Sequence, residues 1–329
     1  MAAAANSAVA GKTFFITGAT DGIGLHTARR LASLAKQEST APPAALILHG
    51  RDRARLDRAA AEVAAVSSAV AVRTHLCDLC SGDLRALGEA VAHDAKELGL
   101  PLTVIHNAGV YATKREMVSP PPTAAPGRGA SFERTWQTNV LAPFALQHAL
   151  LKALGWRRRR NASSASLEPG SAAAARLLER VVVTSSLSAQ HGPLDFANLQ
   201  GERSWSAHGS YSLSKACNQA FAVRLGELLL GGEGGDDAND ASSPGVFSLD
   251  PGTVNTKMLL AGWGPIGIEV EDADDTLWVA TAPREALGAT GGYFVGRRRA
   301  RLVPAAADRA TVDRLWALWR EQTGCEELF

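Results

Sequence analysis

Tyr211 and Lys215 stand four residues apart in the run SYSLSKACNQA, residues 210–220, which contains few helix breakers. On a helix both side chains emerge on one face, one turn apart. An ammonium held beside a phenol favours the phenolate, and a tyrosine that ordinarily titrates near about 10 is thereby brought toward proton transfer at neutral pH. A solvated pair on a helix has the same spacing. The pair does chemistry only if the rest of the chain supplies a cofactor, a third polar group and a pocket.

The chain has 329 residues, 46% of them hydrophobic, enough for a substantial core. Its 34 Lys and Arg nearly balance 33 Asp and Glu, so neither nucleic acid nor an anionic membrane is expected as the main partner. Cys77, Cys80, Cys217 and Cys325 are too few and too scattered for a disulfide framework, which fits a reducing compartment. Cys77 and Cys80 form a CxxC without a second pair or a suitably placed histidine, so no metal is assigned. The opening MAAAANSAVA is small and uncharged, a hydrophobic strand follows at once, and no 18 consecutive apolar residues occur. A soluble, cytoplasmic protein without an integral membrane segment is expected.

The elements that must position the pair alternate in type. Residues 12–17 read as a strand, GATDGIG as a glycine turn, and Ile23, Ala28, Leu31 and Leu34 as the apolar positions of a helix. Gly18, Gly22 and Gly24 suit a tight turn that brings backbone N–H groups and a helix N-terminus to a pyrophosphate, although the spacing is GxxxGxG and a plain structural turn is the alternative. A second strand, 44–49, ends in Gly50-Arg51-Asp52, where an arginine accommodates a 2′-phosphate. Arg51 therefore tilts the cofactor toward NADP over NAD, with Asp52 either a helix N-cap or a ribose ligand. Further strands are expected at 70–75, 102–106, 180–185, 246–249 and 292–295, with helices at about 53–66, 82–98, 131–156, from 210 onward, and at the C-terminus.

This is the pattern of an α/β protein built on one doubly wound Rossmann-type parallel sheet of about seven strands, with helices on both faces. We expect one domain, 11–329, carrying low-complexity insertions near 114–130, 157–175 and 231–244. The four arginines at 157–160 open one of these and are read as a solvated basic loop. Ser186 arrives at the carboxyl end of RVVVTS, where parallel sheets bind ligands, and Asn139 falls inside an apolar helical stripe, which suggests a local irregularity or a polar role. MLLAGWGPIGI, residues 258–268, is either a lid over a lipophilic substrate or two short helices packed on the core.

Taken together, TGATDGIG, HNAG, TNVLAPF, TSS, YSLSK and DPGTVNT occur in the order found in the short-chain dehydrogenases and reductases, which the chain resembles over roughly residues 11–296. HGPLDFANLQ and GGYF are similar to the retinol dehydrogenase-type branch. The resemblance implies a catalytic tetrad of Asn139, Ser186, Tyr211 and Lys215. Tyr211 would give its proton to a carbonyl oxygen that Ser186 orients. Lys215 would lower the tyrosine pKa and bind the nicotinamide ribose, and Asn139 would hold a relay water behind the lysine. It also implies that Gly18, Gly22, Ile23 and Gly24 line the pyrophosphate, Asp78 and Leu79 the adenine, and Asn107, Ala108 and Gly109 the adenosine side. Pro251, Gly252, Val254 and Thr256 would hold the nicotinamide end. Two departures stand out. His106 replaces the usual Asn, and Asp21, counted among the cofactor-binding positions, puts an acid where a small or basic residue is usual.

The expected activity is NADP(H)-dependent interconversion of a lipophilic alcohol and a carbonyl compound. The competing expectation is a catalytically silent dinucleotide-binding regulator or scaffold. Family resemblance further implies a homodimer or homotetramer packed through the helices that carry Asn139 and Tyr211.

Overall fold

The computed structural model describes residues 9, 11–37, 44–68, 70–119, 131–156, 177–230 and 243–327. Strand and helix alternate through β1 (Thr13–Ile16), α1 (Gly22–Gln37), β2 (Ala44–Gly50), α2 (Arg53–Val66), β3 (Val70–Leu76), α3 (Leu84–Leu98) and β4 (Leu102–His106). Next come β5 (Met117–Val118), β6 (Phe132–Glu133), α4 (Arg134–Trp136), a π-helical turn (Gln137–Leu141) and α5 (Ala142–Leu154). The second half runs β7 (Leu178–Thr184), a 3-10 turn (Leu187–His191), α6 (Ala207–Leu229), β8 (Gly245–Asp250) and α7 (Lys257–Gly262). It closes with α8 (Asp275–Thr281), α9 (Arg284–Leu287), β9 (Gly292–Val295), β10 (Arg298–Ala300), α10 (Pro304–Ala307) and α11 (Arg309–Thr323).

The main sheet has the order β10-β9-β8-β7-β4-β1-β2-β3. It contains eight strands where about seven are expected, and every pairing in it is parallel except β9 with β10. The additional strand, Arg-Arg-Ala at the sheet edge, has no hydrophobic alternation to announce it. A two-residue connection creates it: Gly296 and Arg297 both take positive φ, 54° and 62°, the geometry that folds a chain directly back on itself.

Alternate residues of the strands face opposite sides, and each side has its own core. Phe15, Val104, Val181 and Val183 meet α3, α5, α6 and α11 through Leu87, Leu150, Phe221 and Trp319. Phe14, Ile16, Leu46 and Ile105 face the other way, onto Leu31 of α1, Leu56 of α2 and Leu277 of α8. Each large side chain withdrawn from water in this way contributes roughly 1.5–3 kcal/mol.

Three local differences from the expected elements have identifiable causes. The stretch 131–156 is not one helix: Phe132–Glu133 pairs with Met117–Val118, which lies inside the segment expected to be a loop. The buried Glu133 carboxylate then caps α4 by accepting from the Trp136 N–H at 2.9 Å, and the π turn follows. On α3 the Asp83 carboxylate accepts from the Ala86 N–H at 3.0 Å, so the helix starts at Leu84 rather than at 82. Residues 120–130 of the first insertion, the whole of the second with its arginine run at 157–160, and 231–242 of the third lie outside the described residues. Among the described residues no helix is long and apolar enough to cross a membrane.

The strand order reverses between β1 and β4, which opens a crevice at their carboxyl ends. Asn107 closes its floor: its backbone N–H donates to Thr17 Oγ1 at 3.0 Å and its Nδ2 to the Thr17 carbonyl at 3.0 Å.

Candidate active site

Helix α6 begins at Ser206, whose hydroxyl accepts from the Gly209 N–H at 3.0 Å, so Tyr211 and Lys215 fall on consecutive turns. Lys215 is only 3% exposed. Its Nζ donates to the Thr184 carbonyl at 2.9 Å and stands 5.5 Å from the centre of the Tyr211 ring. Thr184 ends β7, and Ser186 lies two residues on. The Ser186 Oγ accepts from the Ser188 N–H at 3.2 Å and interacts with the Tyr211 phenol.

Asn139 sits in the π turn, which meets the expectation of both an irregularity and a polar role. Its Oδ1 accepts from the Val110 N–H at 2.8 Å, and its Nδ2 donates to the Val110 carbonyl at 2.9 Å and to Ser214 Oγ at 3.0 Å. The Ser214 hydroxyl in turn donates to the Tyr211 carbonyl at 2.7 Å. The segment after β4 is thereby tied to the helix that carries the tyrosine. A Cβ on Gly109 would lie 3.3 Å from Asn139 Oδ1 and 3.5 Å from Lys215 Nζ, so this glycine marks where the two groups converge.

The electrostatics differ from the simple phenol–ammonium pair. Burial, with the Asp250 carboxylate, pushes Tyr211 up to about 12, against a smaller opposing effect of Ser186. Burial pushes Lys215 down to about 8, opposed by Asp250. Burial thus outweighs any lowering of the tyrosine by the lysine, because the phenolate would lose its hydration. Asp250 itself is raised by burial, while N–H donors from Leu187 at 2.6 Å and Gly252 at 2.8 Å favour its charged form. Its influence on the pair went unread in the sequence, where only an acid at a strand end before Pro-Gly marks it.

Around the crevice the remaining predicted positions assemble. Gly18 and Gly22 take φ of +68° and +51°. A Cβ on Gly24 would stand 2.4 Å from the Gly18 carbonyl oxygen and 2.5 Å from Asn107 Nδ2. Gly22, Ile23 and Gly24 form the first turn of α1, where backbone N–H groups have no acceptor within the helix; that of Gly22 donates to Asp21 Oδ1. Pro251 is buried, Gly252 takes φ of +87°, and Val254 bridges to Ile268. Thr256 approaches the glycine turn so closely that a Cβ on Gly22 would be 3.1 Å from its methyl. These shapes fit a dinucleotide: side-chain-free backbone at a helix N-terminus on one side, the DPGTVNT turn on the other.

At the end of β2 Arg51 is exposed and Asp52 caps α2, accepting from the Arg55 N–H at 2.9 Å, the first of the two roles open to it. The Asp78 carboxylate accepts from the Cys80 N–H at 2.9 Å. The side chain of Leu79 packs into the core, so only its backbone is available to an adenine ring. Cys77 is pushed up to about 11 by burial and neighbouring carboxylates, so its thiol stays protonated. His106, the departure from the expected Asn, is buried beside Gln147 at 3.0 Å and is pushed down to about 4 by burial.

Two aromatic side chains beside Tyr211 were not singled out individually from the sequence. Tyr111 and Trp263 pack with ring centres 4.5 Å apart, and lie 5.5 and 6.3 Å from the Tyr211 ring. Trp263 belongs to the apolar 258–268 segment, which is an excursion closed at its neck by Asn255, whose Nδ2 donates to the Gly267 carbonyl at 2.9 Å and whose Oδ1 accepts from the Gly267 N–H at 2.8 Å. Helix α7 within it buries no residue, and Leu260, Trp263, Ile266 and Ile268 are exposed. Of the two expectations for this segment, packing on the core is the one the structure does not bear out.

The model of the short chain dehydrogenase family matches residues 12–163. Polyprenol dehydrogenase of Mus musculus is 29% identical over 95% of this chain and 84% of that protein. Retinol dehydrogenase 14 of Homo sapiens is 27% identical over 95% of this chain and 87% of its own length. Among solved structures, an uncharacterized protein from Mycobacterium Paratuberculosis superposes with a TM-score of 0.64 at 25% identity, covering 96% of this chain and 95% of that one.

Proposed function

We propose that the chain is an oxidoreductase of the short-chain dehydrogenases and reductases, in their retinol dehydrogenase-like branch, and that it interconverts a lipophilic alcohol and its carbonyl compound with NADP(H). The observation that carries this reading is the buried Lys215 ammonium over the Tyr211 ring, beside the strand end that delivers Ser186.

A nicotinamide dinucleotide, when bound, supplies or accepts the hydride. Gly18, Gly22, Ile23 and Gly24 would hold its pyrophosphate, with Pro251, Gly252, Val254 and Thr256 at the nicotinamide end. Tyr211, protonated at neutral pH because burial holds it near 12, gives its proton to the carbonyl oxygen in reduction. The Ser186 hydroxyl hydrogen-bonds the same oxygen and fixes its position. Lys215 stabilises the phenolate that remains. In Asn139 the amide hydrogens are both engaged, and one lone pair of Oδ1 is left to hold a relay water. In the oxidative direction the same proton moves back to Tyr211.

The preference for NADP rests on Arg51, exposed at the end of β2, with Arg55 one turn further on. The lipophilic substrate rests on the rings of Tyr111 and Trp263 beside Tyr211 and on the exposed apolar rim of the excursion. The polyprenol and retinol named for the relatives are substrates of that kind.

The test is an assay over lipophilic aldehydes, ketones and alcohols with NADPH/NADP and NADH/NAD in parallel, on wild type and Tyr211→Phe. Turnover favouring NADPH and reduced about 10²- to 10⁴-fold in the variant is expected. Wild-type rates in Tyr211→Phe would remove the mechanism, and tight NADPH binding without turnover over the panel would favour the silent regulator.

A further inference from the structure

Asp21, the acid that breaks the expected pattern of the glycine turn, has a defined set of partners. Its Oδ1 accepts from the Gly22 N–H at 2.9 Å and so shapes the turn. Its Oδ2 accepts from Arg55 of α2 at 2.6 Å and also pairs with the ammonium of Lys257, the first residue of α7. One carboxylate thus joins three places: the turn at the helix N-terminus, the adenosine side of the crevice, and the excursion that carries Trp263. The contact of Thr256 with the Gly22 position brings the start of α7 onto the same turn independently of any charge.

We propose that Asp21 governs both cofactor discrimination and the closure of α7: by holding Arg55 it opposes a 2′-phosphate, and by holding Lys257 it fastens the excursion to the glycine turn. The inference rests on the dinucleotide reading of this crevice. An anion placed near a bound phosphate raises its energy, and an arginine already paired with a carboxylate must be shared before it can serve that phosphate. Arg51, free of that carboxylate, supports NADP, so Asp21 moderates a preference that Arg51 sets. The second arm is mechanical. Helix α7 has six residues and none is buried, so the Lys257 pair and the Asn255 neck hold it where no core does. The Asp21, Arg55 and Lys257 side chains are 42%, 38% and 78% exposed, so the pairs add little to global stability. Their effect falls on ligand binding and local opening.

The experiment compares wild type, Asp21→Asn and Lys257→Met. Asparagine keeps an acceptor for the Gly22 N–H, so the turn survives while the charge is lost. Calorimetric titration with NADPH and NADH is expected to show the NADPH:NADH affinity ratio rising about tenfold in Asp21→Asn and staying at the wild-type value in Lys257→Met. Hydrogen exchange on the free proteins is expected to show the 258–262 amides exchanging severalfold faster in both variants, and no faster in the double variant. An affinity ratio that does not move in Asp21→Asn, or wild-type exchange across α7, overturns the inference while leaving the dinucleotide reading intact. Failure of the wild type to bind either dinucleotide overturns both.

Discussion

Asn139 and Val110 are locked together by a reciprocal pair of hydrogen bonds, 2.8 Å from the Val110 N–H to Oδ1 and 2.9 Å from Nδ2 to the Val110 carbonyl. An amide side chain that satisfies both backbone groups of one residue acts as a substitute strand neighbour. It holds the segment after β4, whose Gly109 lies against Lys215 Nζ, to the π turn. Through Ser214 the same amide reaches the Tyr211 carbonyl, so the segment after β4 and the helix that carries Tyr211 share one support.

Removing that support has a measurable consequence. Asn139→Ala leaves both Val110 backbone groups and the Ser214 hydroxyl without this partner, at a position 1% exposed. Losing these three hydrogen bonds at a largely buried site is expected to destabilise the fold by roughly 2–4 kcal/mol after local relaxation. Urea unfolding of the free protein measures it, and a midpoint equal to that of wild type would show that Asn139 braces nothing.

Much of this arrangement can be read from the chain and some cannot, for physical reasons. The strands β1, β2, β4, β7, β8 and β9 announce themselves because two-faced burial makes each a short apolar run between turn signals. The glycine turn and Ser186 follow from their places at strand ends. β10 is hidden because an edge strand of Arg-Arg-Ala has no core face to pattern it. The contact of Asp21 with Lys257 spans 236 positions, and that of Tyr111 with Trp263 also joins distant parts of the chain, so no local period encodes either. The tyrosine's raised pKa is likewise a property of three-dimensional burial, which outweighs the charge that the four-residue spacing suggests.

Trp263 tests the substrate side. Its ring packs beside the Tyr111 and Tyr211 rings in an excursion whose neck is fixed by Asn255, while the short helix α7 leading to it buries none of its own residues. Truncating it removes apolar surface that a long substrate would cover and keeps the Tyr211 hydroxyl. Trp263→Ala is therefore expected to raise KM for long apolar carbonyls about tenfold, in line with roughly 1–2 kcal/mol of lost contact, and to leave kcat/KM for a short water-soluble aldehyde within a factor of two. Equal losses on both substrates would assign Trp263 to the chemistry or to the fold instead.

Lys215 is the residue whose charge the buried site holds at the fold's expense. Burial lowers its pKa from 10.5 to about 8, so the unfolded chain binds a proton that the folded chain gives up between those two values. Stability therefore rises with pH across that interval, since the unfolded state carries more protons there. Below about pH 8 the lysine is charged in both states and the full penalty is present, on the order of 3 kcal/mol for a shift of this size. Lys215→Met removes the charge and keeps the apolar stem, and the Thr184 carbonyl retains a second donor, Asn218 Nδ2 at 3.0 Å. The free variant is expected to be more stable than wild type at pH 7 by about 1–3 kcal/mol, with the difference shrinking as pH rises from 8 toward 10.5. It is also expected to be inactive in reduction. Denaturant unfolding at several pH values decides this: a variant less stable than wild type at pH 7, or a difference that does not narrow with pH, would mean that Lys215 is held in the structure without strain.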